Sequence, residues 1–93
     1  MWLILLLNGV DEKLIGKITH YYNGIGVGIV ELSDKLKKGD TVHLKGKSVD
    51  FEQTVDSMQI EHDQIDEAGK GDVVGIKVKE KVKEGDEVYL SNK

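Results

Sequence analysis

Apolar residues along this 93-residue chain fall in short runs broken by glycine and charge, a spacing that predicts an all-β domain. Leu14–Tyr22 (LIGKITHYY) reads as a strand with Gly16, Ile18, His20 and Tyr22 on one face. Asn23-Gly24 predicts a hairpin turn, because both residues tolerate positive φ, and Ile25–Leu32 (IGVGIVEL) returns as the partner strand. Gly26 and Gly28 share one face there, which predicts a close backbone approach or a bend. Ser33–Asp40 reads as a charged turn. Thr41–Lys47 reads as a third strand, with Val42 and Leu44 pointing one way and Thr41, His43 and Lys45 the other. Phe51–His62 alternates but slips phase, since Val55 is followed by Met58 and Ile60; a bulge near Ser57 repairs it. Ile65–Lys70 is loop-like, with Asp66–Ala68 suited to one helical turn. Asp72–Val78 and Glu87–Leu90 supply the last strands. Six strands therefore follow the N-terminal run, and no segment carries a convincing helical period.

That run, Trp2–Leu7 (WLILLL), is six apolar residues with no lysine ahead of it. It lacks the basic start and cleavage site of a signal peptide and is far shorter than the roughly 20 residues of a membrane span. Three readings stay open: a strand packed on the domain after a turn at Asn8-Gly9, an exposed segment that promotes dimerisation or membrane contact, and an upstream start-site error. The chain divides into residues 1–13, an apolar segment and linker, and residues 14–93, one β domain; a soluble cytoplasmic protein is expected.

Composition sharpens the class. One alanine beside eleven valines and eight isoleucines favours strands over helices. There is no cysteine, which removes disulfides, thiolate zinc sites and a cysteine nucleophile together. There is no arginine, and the formal net charge is −4; such a chain is a poor candidate for tight sequence-specific nucleic-acid binding. Charge is also uneven. Residues 34–49 hold five lysines against Asp34 and Asp40, whereas residues 50–72 hold eight carboxylates against Lys70 alone. The plain reading is solvation and edge protection; the functional one is a lysine-rich hairpin, with Lys37, Lys38, Lys45 and Lys47, that meets phosphate or an acidic protein. His20, Tyr21 and Tyr22 offer a possible base-stacking platform.

Catalytic patterns are missing. No G-x-x-x-x-G-K-[ST] loop is present, so no nucleotide hydrolysis is expected, and Gly24-Ile25-Gly26-Val27-Gly28 reads as strand. The serines have no nucleophile context. His20, His43 and His62 are far apart, and a zinc site needs ligands converging from separate strands with Asp63 or Glu61; satisfied or exposed histidines are the better reading. No metal and no cofactor is expected. An internal echo stands out: Leu36–Leu44 (LKKGDTVHL) and Val82–Leu90 (VKEGDEVYL) match, and Gly71-Asp72 is a third Gly-Asp ahead of a strand. The pattern predicts turns with positive φ at glycine and the aspartate bonding nearby backbone amides.

The stretch GKITHYYNGIGVGIVELSDKLKKGDTVHLKG resembles the opening of the second domain of translational GTPases such as elongation factor Tu. Val55, Ser57, His62, Glu67-Ala68, Gly71-Asp72, Val74-Gly75, Val78-Lys79 and Gly85-Asp86 continue a pattern similar to the archaeal and eukaryotic elongation factors. The likeness covers about residues 15–90. Small stand-alone translation-factor-like proteins look closest, and the barrel appended to collagenase-like peptidases is a more distant relative. The resemblance implies a six-stranded closed Greek-key β-barrel without a GTPase domain. It places Met58–Ala68 where the aminoacylated tRNA end is held, with Gln59, Glu61, His62 and Glu67 as the binding positions. The expected function is a non-enzymatic binding module contacting tRNA, other RNA or a translation component. The alternative is a protein-interaction or accessory subunit whose partner supplies the chemistry.

Overall fold

The computed structural model describes residues 12–91; the Trp2–Leu7 run lies outside them. Ten strands follow in chain order: β1 (Glu12–Tyr22), β2 (Val27–Leu32), β3 (Leu36–Lys37), β4 (Thr41–Lys45), β5 (Asp50–Thr54), β6 (Met58–Ile60), β7 (Asp63–Ile65), β8 (Glu67–Ala68), β9 (Val73–Lys77) and β10 (Glu87–Ser91). The described residues contain no helix, hence none long and apolar enough to cross a membrane. All pairings are antiparallel. Eight strands form one sheet in the order β5-β4-β10-β1-β2-β9-β6-β7, and β3 pairs with β8 apart from it.

The all-β expectation holds, but the closed six-stranded barrel is not found: among the described residues the ladder runs from β5 to β7 and these two ends do not pair. The sheet nevertheless encloses a core. Ile15 and Ile18 of β1, Val30 of β2, Leu44 of β4, Ile76 of β9 and Val88 of β10 belong to one buried cluster. With no helix to cover that face, the sheet must curl over it. Gln53 makes the curl visible. It sits on end strand β5, is 6% exposed, donates from Nε2 to the Lys77 carbonyl at 2.7 Å and accepts the Lys79 N–H at 2.8 Å. Four strands separate β5 from β9 in the sheet order, so this side chain bridges across the curl.

Four features differ from expectation for identifiable reasons. Phe51–His62 is not one bulged strand: β5 pairs with β4 and β6 with β9. Val55 and Met58 are both fully inward, three residues apart, which no continuous pleat allows. The Asn23-Gly24 hairpin is a four-residue loop, because Tyr22 pairs with Val27 and the positive φ falls on Gly26. In β1 the register shifts between Leu14 and Gly16 and again between Ile18 and His20. These irregularities turn Ile15 and Ile18 inward while His20 and Tyr22 stay outside. The turn at Ser33–Asp40 and the loop at Ile65–Lys70 each contain a two-residue strand, β3 and β8, in place of the helical turn at Asp66–Ala68.

The three Gly-Asp corners are one device used three times. Gly39, Gly71 and Gly85 have φ of 96°, 92° and 95°. Asp40, Asp72 and Asp86 each accept a hydrogen bond on Oδ2 from the backbone N–H three residues earlier, at 2.8, 2.9 and 2.8 Å. Each corner also exchanges two backbone hydrogen bonds with a buried apolar residue: the glycine N–H donates to, and the aspartate carbonyl accepts from, Val55, Leu32 and Ile18 respectively. The corners thereby extend the β4–β5, β2–β9 and β1–β10 ladders one step past the last strand pair of each.

Candidate functional site

Alternation along an antiparallel strand normally puts polar residues on the wet face. Strands β2 and β9 break that rule. Ile29 of β2, Gly75 of β9 and Gln59 of β6 stand side by side across the outer face. Gly75 contributes no side chain, and a Cβ there would lie 3.3 Å from Val27 Cγ1 and 3.5 Å from Ile29 Cδ1. The result is a groove of about 720 Å³ floored by Gly75. Tyr22 (49% exposed), Ile25 (62%) and Val73 (48%), three of the four large apolar side chains left exposed among the described residues, all line it. The Tyr22 ring is braced edge-on by His20, centroids 4.5 Å apart. Tyr21 packs toward the core instead, so the expected three-ring platform reduces to one pair.

One end of the groove is shaped by the β6–β7 hairpin. Ile60 pairs with Asp63, leaving Glu61 and His62 as a two-residue turn with φ of 49° and 72°. Such a turn needs positive φ at both positions and ordinarily takes Asn or Gly. A glutamate and a histidine held there cost on the order of 1 kcal/mol or more each. Their side chains line the groove with Gln59, and Asp72 adds a second carboxylate to the rim.

The eight residues singled out from sequence are thus split. Gln59, Glu61 and His62 share the groove. Glu67 lies elsewhere: it pairs with Lys37 across β3–β8, and both border a hollow with Lys38, Asp56 and Asp66. The basic and acidic segments therefore interleave in space here rather than forming two faces. Lys45 and Lys47 border another hollow, beside Lys83, with Lys45 Nζ 5.7 Å from the Tyr89 ring centroid. Sequence reasoning missed Ile25, Val27, Ile29 and Val73; the available signal was that IGVGIVEL and DVVGIKV are apolar on both faces.

A second cluster lies on the outer face of β1, β4 and β5. His43 Nδ1 is 2.6 Å from Glu12 Oε2, and Nε2 is bonded to Asp50. Burial alone would depress the His43 pKa, but the carboxylates of Asp50 and Glu12 outweigh it and hold it above the ordinary 6.5. The same contact lowers Asp50. Glu12, His43 and Glu52 are the one group of three histidine or acidic side chains among the described residues whose ligand atoms all lie within 4.8 Å of one another. Asp63 and Glu61, the partners expected for a histidine site, are not in it.

Comparison with known proteins decides between the resemblances. No protein-family model matches the chain. It is 43% identical over 77 residues to an uncharacterized protease of Methanocaldococcus jannaschii, covering 82% of this chain and 19% of that protein. It is 32% identical over 85 residues to a collagenase of Porphyromonas gingivalis, covering 89% of this chain and 24% of that one. In structure it matches the C-terminal domain of a U32 peptidase-like protein of Geobacillus thermoleovorans with a TM-score of 0.81 at 22% identity, covering 86% of this chain and 93% of that one. The selenomethionine form of that domain matches with a TM-score of 0.78. The fold is that of a U32 peptidase C-terminal domain. This overturns the translation-factor resemblance, together with the elongation-factor-like RNA-binding function and tRNA-end pocket it implied; the peptidase-appended domain placed as the distant relative is the one that matches. The chain spans about a fifth to a quarter of the length of the curated relatives it matches.

Proposed function

We propose that this chain is a non-catalytic module of a U32-type peptidase and that its Gly75 groove takes an extended polypeptide segment. The observation that carries the reading is the similarity to proteases over most of this chain but under a quarter of theirs. That ratio leaves ample room for a separate catalytic part. The chain's own chemistry agrees: it has no cysteine, and among the described residues no histidine is hydrogen-bonded to a serine or threonine hydroxyl. An apolar channel with a few polar groups at its ends suits side chains of an extended peptide, and the Glu61 and Asp72 carboxylates favour a segment with basic flanks.

A titration of the 15N-labelled chain with gelatin peptides tests this. Amide shifts should concentrate on Tyr22, Ile25, Val73 and Gly75, and the Tyr22→Ala, Val73→Ser double variant should lose most of them while keeping the remaining spectrum. Absent shifts, or shifts at the lysine hollows instead, discard the groove as the recognition surface.

A further inference from the structure

The geometry points to a divalent transition-metal site formed by Glu12, His43 and Glu52. These residues come from β1, β4 and β5, and their ligand atoms lie within 4.8 Å of one another. A tetrahedral ion with ligands about 2.0–2.2 Å away sets its donors roughly 3.5 Å apart, so Glu12 Oε2 must draw back from its 2.6 Å hydrogen bond to His43 Nδ1 while the wider spacings of the set, none above 4.8 Å, close. Backbone register supplies the convergence. His43 is directly opposite Glu52 in the β4–β5 ladder, and Glu12 reaches it from β1 across β10. The side chains of Glu12 and His43 are each only 16% exposed, which fixes the ring and one carboxylate in place.

The histidine separates this group from a chance gathering of acids. Its two nitrogens have different partners. Asp50 faces Nε2 and Glu12 faces Nδ1. Metal-bound imidazoles typically donate the remote N–H to a carboxylate, which sets tautomer and ring angle. Asp50 stands where that partner belongs, and the ion would enter at Nδ1 in place of the Glu12 hydrogen bond, with Glu12 becoming its ligand. One imidazole and two carboxylates form a mixed nitrogen–oxygen set. Zinc, which has no geometric preference of its own, fits such a set. Two ligand carboxylates balance its charge. Three protein ligands leave one position for water or a group from a partner. The ion would tie the start of β1 to the β4–β5 end of the sheet.

The test is a zinc titration of untagged, chelator-treated protein against a chromophoric competitor, with thermal unfolding alongside. Saturable one-to-one binding that raises the melting temperature is expected. His43→Ala should weaken it at least 100-fold and Glu52→Gln at least about 10-fold. Asp50→Asn should cost about 10–100-fold, the range for an orienting carboxylate, and His62→Ala should leave it unchanged. Glu52→Gln preserves shape and covers the case in which His43→Ala fails to fold. Lack of one-to-one binding overturns the site, as does zinc binding that survives both His43→Ala and Glu52→Gln. Neither result bears on the gelatin titration, whose residues Tyr22, Ile25, Val73 and Gly75 line the groove and include none of the metal group.

Discussion

Replacing Gly85 by alanine isolates the cost of one backbone conformation. Gly85 sits at φ 95°, and a Cβ built there has nothing within 4 Å. Steric crowding therefore contributes nothing. What remains is the intrinsic penalty of an L residue in the left-handed region, about 1–2 kcal/mol. Alanine returns about 0.4–1 kcal/mol by narrowing the unfolded ensemble. The net expectation is a loss of up to about 1.6 kcal/mol, centred near about 0.8, which at that centre is roughly 3–6 °C in melting temperature for a domain of this size. Gly39 and Gly71 share the angle and the open surroundings, so their alanine variants should cost the same. Because the corners hook three different residues, Val55, Leu32 and Ile18, the triple variant should approach the sum. Urea unfolding of the singles and the triple measures this. Gly24→Ala is the control: its Cβ also meets open space, but its φ is not positive, so it should be neutral or slightly stabilising. A chemically assembled chain with D-alanine at position 85 should match or exceed wild-type stability. Equal losses at Gly24 and Gly85, or a D-alanine chain as weak as the L-alanine one, would refute the reasoning.

Two further outcomes follow from side chains that bridge elements. Gln53→Met keeps volume but deprives the Lys77 carbonyl and Lys79 N–H of their partners; unfolding in urea should register a loss of about 2–6 kcal/mol, at about 1–3 per orphaned group, and a loss under about 1 would show that water replaces the clamp. Asp34 is bonded to Lys13 and accepts the Lys35 N–H at 2.7 Å; the Lys13 contact first, and that N–H second, hold its carboxyl below the ordinary 3.8. Its contribution to stability is therefore present above pH 3.8 and fades as pH falls through the lower folded value. NMR titration should find Asp34 below 3.8 in the wild type and shifted upward in Lys13→Met; an unchanged midpoint rejects the pairing.

How much of this was legible from sequence depends on whether the cause was local. The Gly-Asp corners were, because each depends on one residue at positive φ and one carboxylate within three positions, both written in the repeat LKKGD, GKGD and VKEGD. Strand β2 and its return from β1 were legible for the same reason. The break between β5 and β6 was not. Val55 and Met58 both face the core, yet the hydrogen bonds that turn the chain there come from Gly39 and Asp40, some fifteen residues away. The candidate site divides in the same manner. Gln59, Glu61 and His62 lie together because one tight hairpin holds them. Glu67 and the lysines scatter because their neighbours are set by long-range pairing. The Glu12–His43–Glu52 group needed the order of three strands, which no spacing encodes.

The misleading resemblance has the same origin. Gly-Asp corners dictate how a small curled sheet fastens itself, and unrelated functions share that requirement. They carry the inward-facing half of the pattern: Ile18, Leu32 and Val55 must be apolar whatever the domain binds. Outward positions of the same strands are free of that demand. There this chain places Val27, Ile29 and Val73 around an absent side chain at Gly75, and Glu12, His43 and Glu52 on the far strands. A likeness built on corners therefore reports the fold, whereas the apolar strip of β2 and β9, half-buried at Val27 and Ile29 and exposed at Val73, is where the proposed recognition role rests.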